Sequence, residues 1–201
     1  MKNLTILLTT LLVITFGTTQ VAAQDAFEEG KIVASIGYGA PNLTNAFVKL
    51  VFEDEEGYKK SGIGPMHLKF EYGLSDKIGF GLVINYVNAG ASWTHKNFTD
   101  NSTYTDDVDF TSIAFNVRMN IHFATTDKLD PYWGVGAGYR TGKWKYDSND
   151  PLYEFSESNT FIPIGFETTL GMRYYVADMF AFYVELGFAK SLIQGGLTLG
   201  F

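Results

Sequence analysis

The feature that most constrains the fold is a two-residue alternation of apolar side chains with polar or small ones. It is clearest over residues 112–123, where one face carries only apolar side chains: Ile113, Phe115, Val117, Met119, Ile121 and Phe123. Successive side chains of a β-strand point to opposite faces, whereas a helix repeats about every 3.6 residues. Further segments with this alternation begin near residues 32, 66, 78, 133, 162, 180 and 193. We therefore predict an all-β fold of about eight strands.

The composition of the second face separates a soluble barrel from one that lies in a membrane. A soluble barrel turns a charged face to water, but here that face is rich in glycine and has few charged residues. Glycine is unfavourable in a strand unless another group must approach the backbone closely. The narrow lumen of a small barrel creates that requirement. We therefore predict an eight-stranded antiparallel transmembrane up-and-down β-barrel whose apolar face meets lipid.

The predicted connections between strands alternate in length. Short connections cover residues 74–77, 125–130 and 177–179, and long ones cover residues 40–64, 88–107 and 141–160. Short periplasmic turns and longer extracellular loops are typical of outer-membrane barrels. The conformation of residues 40–64 stays open, since a short helix, a strand extension and a lid all fit the sequence.

The first residues are typical of a secretory signal peptide. Lys2 supplies the positive start, residues 4–16 are apolar, and Ala22 and Ala23 are small residues of the kind that precede cleavage. The apolar stretch is shorter than the ~20 residues that a membrane-spanning helix needs. We predict cleavage after Ala23, so that residues 24–201 form the mature barrel domain in the bacterial outer membrane.

The composition also excludes several functions. The chain has no cysteine, which rules out disulfides, thiolate metal ligands and a lipid-modified cysteine. Its formal net charge of −7 and its lack of a basic stripe argue against nucleic acid as a partner. No motif indicates a cofactor, and we expect none.

Six charged side chains fall on the predicted lumen face, and they balance in sign: Lys69, Arg118 and Arg173 against Glu71, Glu167 and Glu185. His67, His122 and several asparagines share this face. Charges away from bulk water need partners. We interpret the set as an internal network of ion pairs and hydrogen bonds that fills the barrel. The alternative is a polar path for an ion or small solute.

Catalysis has no clear signature. Ser92 and His95, in the second long connection, come nearest to a nucleophile and base, and no motif singles them out. Acidic side chains are frequent in the long connections: residues 53–56, Asp106, Asp107, Asp109, Asp147, Asp150, Glu154 and Glu157. Their spacing matches no EF-hand loop, which favours a solvated surface over calcium bridging to lipopolysaccharide. We expect neither an enzyme nor a metal site.

Residues 195–201 resemble the terminal β-signal of outer-membrane proteins, with Leu197, Leu199 and Phe201 at the matching spacing. This resemblance implies recognition by the barrel assembly machinery during insertion. The mature chain resembles the small eight-stranded barrels of the OmpX and OmpA transmembrane type. Residues 62–82 are similar to those of small members of the outer membrane protein β-barrel family.

These observations favour a structural or surface-interaction role, exercised through long extracellular loops. The expected partners are outer-membrane lipid, lipopolysaccharide and an extracellular ligand of unidentified chemistry. A narrow channel, or a conduit for small hydrophobic solutes resembling OmpW-type barrels, is the alternative. An enzyme that modifies lipid A is less favoured than either. Conductance across a planar bilayer would separate a sealed barrel from a channel.

Overall fold

The computed structural model describes residues 25–153, 155–159 and 163–201. The predicted signal peptide, residues 1–23, lies outside this part of the chain, as do Glu154 and Ile162. The described residues form these elements: β1 (Ile32–Ala40), α1 (Leu43–Phe52), β2 (Lys59–Ser61), β3 (Met66–Ser75), β4 (Ile78–Lys96), β5 (Thr103–His122), β6 (Leu129–Arg140), β7 (Lys143–Ser148), β8 (Ser156–Asn159), β9 (Ile164–Ala177), β10 (Phe180–Phe188) and β11 (Ile193–Gly200).

Eight of these strands close into one antiparallel barrel, which confirms the predicted fold. Around the barrel the order is β1, β3, β4, β5, β6, β9, β10 and β11, and β11 pairs back with β1. In this closing pair, Ile36 lies opposite Leu197 and Val33 lies opposite Gly200. The short connections β3–β4, β5–β6 and β9–β10 meet at one end, which is the periplasmic end by the typical arrangement of such barrels.

The two faces of the barrel wall differ as the alternation predicts. Phe115 is 54% exposed, whereas its neighbour Asn116, on the lumen face, is 2% exposed. Aromatic side chains lie near the ends of the outward face, where Tyr38 and Tyr86 flank Met66 on three adjacent strands. Amphipathic rings favour the headgroup level of a bilayer. The outward face is therefore suited to lipid.

The predicted loop at residues 88–107 is wrong, because most of it continues β4 and β5 beyond the barrel rim. The apolar residues change face above Tyr86, since Val87, Ala91 and Trp93 point inward and are buried. The outward apolar face of the membrane-spanning part of β4 therefore ends at Tyr86. On the extended pair, β2 adds to β4, β7 adds to β5 and β8 adds to β7. We call β2, the outer halves of β4 and β5, β7 and β8 the extracellular sheet.

Residues 40–64 contain a helix followed by the short strand β2. Asn42 caps α1, because its side-chain oxygen accepts a hydrogen bond from the backbone N–H of Asn45 at 3.0 Å. Val48 of the helix packs against Trp93 on the inner face of the extracellular sheet, and Phe52 stacks on the same indole at 4.4 Å. Among the described residues, no helix is long and apolar enough to cross a membrane.

The segment before β1 closes the periplasmic end of the lumen. Phe27 is fully buried and stacks on His122, and the backbone N–H of Ala26 donates to the carbonyl oxygen of Thr126 in the β5–β6 turn. Ala26 also packs against Tyr175. The residues that follow the predicted cleavage site thus form a plug, which the alternation pattern could not predict.

Candidate functional site

Two groups of charged side chains fill the lumen, and the first lies near its middle. Arg118 from β5 donates to Glu167 of β9 at 3.0 Å, and its guanidinium lies 3.2 Å from Glu185 of β10. Lys69 of β3 contacts Glu185 at 2.6 Å. Two cations and two anions from four strands are thereby brought together, and all four side chains are buried.

Neutral groups complete the hydrogen bonds of this central cluster. The Tyr132 hydroxyl donates to Glu185 at 2.7 Å, and Thr169 donates to the same carboxylate at 2.6 Å. The side-chain amides of Asn85 and Asn116 each donate to Glu167 at 3.1 Å. Buried carboxylates are tolerated only when such partners replace water. The cluster therefore meets the usual requirement for charge inside a protein.

The second group lies nearer the periplasmic end. Arg173 of β9 donates to Asp130 at 2.9 Å and pairs with Glu71 on its other side. Between these carboxylates, His122 contacts Asp130 at 2.6 Å and Glu71 at 2.8 Å. With both carboxylates ionised, they only accept hydrogen bonds, so both ring nitrogens donate and the ring is then an imidazolium. The charges of this cluster also balance.

Two members of the periplasmic cluster were missing from the predicted charged set. Asp130 falls in the predicted turn at residues 125–130, but it lies at the start of β6 and is fully buried. His122 was predicted only to share the lumen face. The alternation of β6, extended back from Gly134 through Tyr132, places Asp130 inward, so a shorter predicted turn could have found it.

The glycine-rich face gives these side chains their room. A Cβ atom on Gly134 would overlap the guanidinium of Arg118, and one on Gly79 would overlap the carboxylate of Glu71. On β9, a Cβ on Gly171 would enter the Tyr132 ring. Glycine is therefore needed where charged and aromatic side chains cross the lumen.

The small cavities between the described lumen side chains include an inner one and an outer one. The inner one, of about 10 Å³, lies among Lys69, Glu71, Arg118 and Arg173. The outer one, of about 60 Å³, is lined by Asn85, Ala114, Asn116, Arg140, Gly165, Phe166, Glu167, Ala189 and Lys190. Spaces of this size suit one or a few water molecules. They do not by themselves give a passage for larger solutes.

A third charged group lies outside the barrel, on the inner face of the extracellular sheet. His95 Nδ1 lies 2.6 Å from Asp106, and its Nε2 lies 3.2 Å from Asp150 in the connection after β7. Asn97 also donates to Asp150, at 2.9 Å. Burial opposes protonation of His95, but the hydrogen bonds with Asp150 and Asp106 raise its pKa above the ordinary value. This group ties the β7–β8 connection to the tip of the β4–β5 hairpin.

The structure does not bring Ser92 and His95 together as a catalytic pair. The two residues stand three positions apart on β4 and so point to opposite faces, and both His95 nitrogens contact carboxylates. Asp107 lies opposite Asp147 on the outer face of the sheet. Burial, together with Asp109 and Asp147, raises the pKa of Asp107. Among the described residues, no group of histidine and acidic side chains is arranged to hold a metal ion.

The three residues of the predicted assembly signal lie at the seam of the barrel. Leu197 and Leu199 of β11 point outward beside β1, and Leu199 lies opposite Phe180 of β10. The backbone of Phe201 forms two hydrogen bonds with Ile32, at 2.8 and 2.9 Å. This strand therefore makes the last pairing that closes the barrel.

Comparisons with known proteins agree with this architecture. The chain matches the family described as "Outer membrane protein beta-barrel domain" over residues 9–196. No curated protein gives a significant sequence match. Solved structures of similar fold include Ail, the attachment invasion locus protein of Yersinia pestis, in complex with the heparin analogue sucrose octasulfate. That likeness has 16% identity and a TM-score of 0.42, and it covers 86% of this chain and 96% of Ail.

Two structures from Pseudomonas aeruginosa are similar to the same degree. The N-terminal β-barrel domain of OprF has 15% identity and a TM-score of 0.40, with 89% of this chain and 98% of that chain covered. The outer membrane protein OprG has 12% identity and a TM-score of 0.44, with 87% and 97% covered. At these identities the likeness concerns the fold alone.

Proposed function

Because the chain belongs to the family of outer membrane protein β-barrel domains, we propose that it acts as a sealed, non-enzymatic barrel presenting a surface to extracellular ligands. In this proposal residues 1–23 are the export signal, and residues 24–201 are the mature barrel in the bacterial outer membrane. One observation carries the proposal. The lumen is filled with paired charges, while the extracellular sheet continues well beyond the lipid-facing belt.

The filled lumen supports a sealed barrel. Charged side chains from several strands meet in the two clusters, and their partners are fixed by hydrogen bonds. Phe27 then covers the periplasmic cluster from below. A solute moving through would have to break buried ion pairs, and a buried charge left without its partner costs about 3–5 kcal/mol.

Exposed side chains in the connections of the extracellular sheet support a surface role. Phe98 at the tip of the β4–β5 hairpin is 95% exposed, and Leu152 and Tyr153 nearby are largely exposed too. Exposed apolar groups that lie close together often mark a site of interaction. The connection that carries Leu152 and Tyr153 is held to the hairpin through Asp150 and His95.

Conductance tests the sealed barrel. The mature protein, refolded and shown to be folded by its heat-dependent electrophoretic mobility, is added to a planar bilayer. We expect no discrete openings. Reproducible openings would instead support the narrow channel, and would overturn the sealed barrel.

Single cysteines test which residues reach the cell exterior, since the natural chain has none. Phe98→Cys should react with a membrane-impermeant maleimide on intact cells. The control Asp178→Cys, in the turn between β9 and β10, should react only after the outer membrane is permeabilised. The opposite result would contradict the proposed orientation.

We propose outer-membrane lipid and lipopolysaccharide as partners of the outward face. We also propose that the barrel assembly machinery recognises β11 through Leu197, Leu199 and Phe201. The position of β11 at the seam supports this role. Phe201→Ala should lower the amount of assembled barrel in cells, whereas Leu192→Ala, in the β10–β11 connection, should not. Equal amounts from both variants would contradict it.

A further inference from the structure

The helix α1 carries large apolar side chains on two sides, and the extracellular sheet covers only one of them. Val48 packs on Trp93 of that sheet. On the side turned away from the sheet, Phe47, Leu50 and Val51 stand at positions i, i+3 and i+4 and so share one face of the helix. Leu50 is 82% exposed, and the other two side chains are more than half exposed. Apolar side chains grouped in this way often mark a site of interaction.

The turn that follows α1 is acidic and is held in place by β4. Residues 53–56 are all acidic and all exposed. The backbone carbonyl oxygen of Glu56 accepts hydrogen bonds from the N–H and the hydroxyl of Thr94, at 2.7 and 2.9 Å. Lys49 pairs with Glu53 at 3.0 Å, but among the described side chains none forms an ion pair with the other three carboxylates. Unpaired negative charge therefore lies directly beyond the apolar face.

These carboxylates lie at the end of the helix where anions are unfavourable. The C-terminus of a helix carries partial negative charge, so cations are stabilised there and anions are destabilised. Sequence choices that oppose a local rule and have no compensating partner inside the fold are expected at functional sites. The apolar face and the negative end together fit a partner with apolar side chains followed by Lys or Arg.

The orientation of α1 argues against lipid as the occupant. Asn42, just before the helix, donates to the carbonyl oxygen of Asn88 at 3.2 Å, and Phe52, at its end, stacks on Trp93. The helix therefore rises along β4, away from the barrel rim. Trp93 stands seven positions beyond Tyr86, or about 23 Å of strand. The acidic turn is thus well outside the hydrocarbon.

A second copy of the chain is also a poor fit to this face. Two barrels in one membrane are related by an axis along the membrane normal, so their α1 helices would meet side by side and in the same direction. The two acidic turns would then lie next to each other and repel. A basic partner is attracted at the same place.

We propose that the exposed face of α1 and the acidic turn bind a cationic amphipathic helix of an extracellular protein or peptide. Its apolar side chains pack on Phe47, Leu50 and Val51, and its Lys or Arg side chains pair with the carboxylates of residues 54–56. This assignment rests on the proposed function, because α1 must face the cell exterior. It does not use the exposed side chains at the tip of the β4–β5 hairpin.

Titration calorimetry of the refolded mature protein in phosphatidylcholine nanodiscs tests this surface. The probe is a helical peptide of leucine and lysine with its leucines on one face, and the heat from matched empty nanodiscs is subtracted. One comparison peptide has the same composition with the leucines spread around the helix, and another has glutamate in place of lysine. We expect the probe to bind at least tenfold more tightly than either, and to bind more weakly as salt is raised.

Variants locate the binding. Leu50→Gln should weaken it at least fivefold, and so should the triple change Asp54→Asn, Glu55→Gln and Glu56→Gln. All four positions are exposed, so the fold should be kept. The matched control is Leu152→Gln, at an exposed leucine in the connection between β7 and β8, which should bind the probe as the wild type does.

Other outcomes would assign the face differently. Wild-type affinity in both α1 variants would overturn the site, as would equal affinity for the glutamate peptide or binding no greater than that of empty nanodiscs. Dimers in detergent that are lost in Leu50→Gln would assign the face to a second copy instead. External labelling of Phe98→Cys without peptide binding would overturn this inference alone, whereas labelling only after permeabilisation would contradict the orientation on which the proposed function also depends.

Discussion

Phe27 lies flat against the imidazole of His122, with the ring centroids 3.4 Å apart and an angle of 4° between the planes. The contact joins the segment before the first strand to the last residue of β5. It places an aromatic cover directly on a charged cluster. The plug and the lumen network are therefore one packed unit.

This contact predicts a stability loss for Phe27→Ala. Removing a fully buried phenylalanine leaves a cavity and costs about 3 kcal/mol. Urea unfolding of the barrel in lipid vesicles should show that decrease in the free energy of unfolding. Phe47→Ala, at an exposed position of α1, should change it little. Equal effects of the two variants would mean that the plug does not pack on the lumen in solution.

Arg118→Met should destabilise the barrel strongly. Glu167 and Glu185 would lose their shared cation, and an unpaired buried charge costs about 3–5 kcal/mol. A second change, Glu167→Gln, should recover part of this loss because Glu167 is the carboxylate left without a cation, whereas Glu185 keeps its ion pair with Lys69. The control Lys143→Met breaks an exposed pair with Glu157 and should cost less than about 1 kcal/mol. A loss of similar size in the control would contradict the central role of Arg118.

Gly171→Ala should also destabilise the barrel, by about 1–3 kcal/mol, because the added methyl group meets the Tyr132 ring. That ring cannot easily move, since it is buried and its hydroxyl donates to Glu185. At Gly195, the nearest atom to an added Cβ is a backbone oxygen at 3.1 Å. Gly195→Ala should therefore cost less in the same unfolding experiment. The reverse order would show that the lumen accommodates the extra methyl group.

The His95 group predicts that the β7–β8 connection loosens as pH rises. The pKa of His95 is raised in the folded protein. Its protonated ring therefore stabilises the fold fully below the ordinary pKa of about 6.5, and this contribution is lost as pH passes the raised value. Hydrogen exchange at the Leu152 N–H, which donates to Asp150 at 2.8 Å, should report the change after correction for intrinsic rates.

His95→Gln is the control for this pH effect. A glutamine at this position can still form hydrogen bonds but does not titrate, so the corrected protection of Leu152 should no longer depend on pH. If the wild type also shows no dependence between about pH 6 and 8, the histidine does not hold the connection.

The barrel wall could be predicted from sequence because one rule governs each strand. Phe115 faces lipid and Asn116 faces the lumen for the same reason that every neighbouring pair alternates. The partners inside the lumen follow from closure of the barrel instead. Arg173 and Glu71 stand 102 positions apart, and no local pattern indicates which carboxylate that arginine meets.

For a different reason, the extension of β4 and β5 was predicted as a loop, and a helix within residues 40–64 was only one of three possibilities. Trp93 lies in the part of β4 where the apolar side chains point inward instead of outward. A pattern of outward apolar residues therefore does not predict a strand there. The helix α1 is stabilised by packing on that inward face, mainly through Val48. Its environment exists only once β4 and β5 have extended beyond the rim.

The change of face above Tyr86 has a mechanical consequence. Sliding the barrel outward would bring Tyr86 into water, and sliding it inward would bring Asn88 and Asp109 into hydrocarbon. The positions of Tyr86, Asn88 and Asp109 therefore determine how deeply the barrel lies in the bilayer. His95 follows Tyr86 by nine positions, or about 30 Å of strand. The tip of the β4–β5 hairpin is therefore held at a fixed distance from the lipid. A partner must reach that height to touch it.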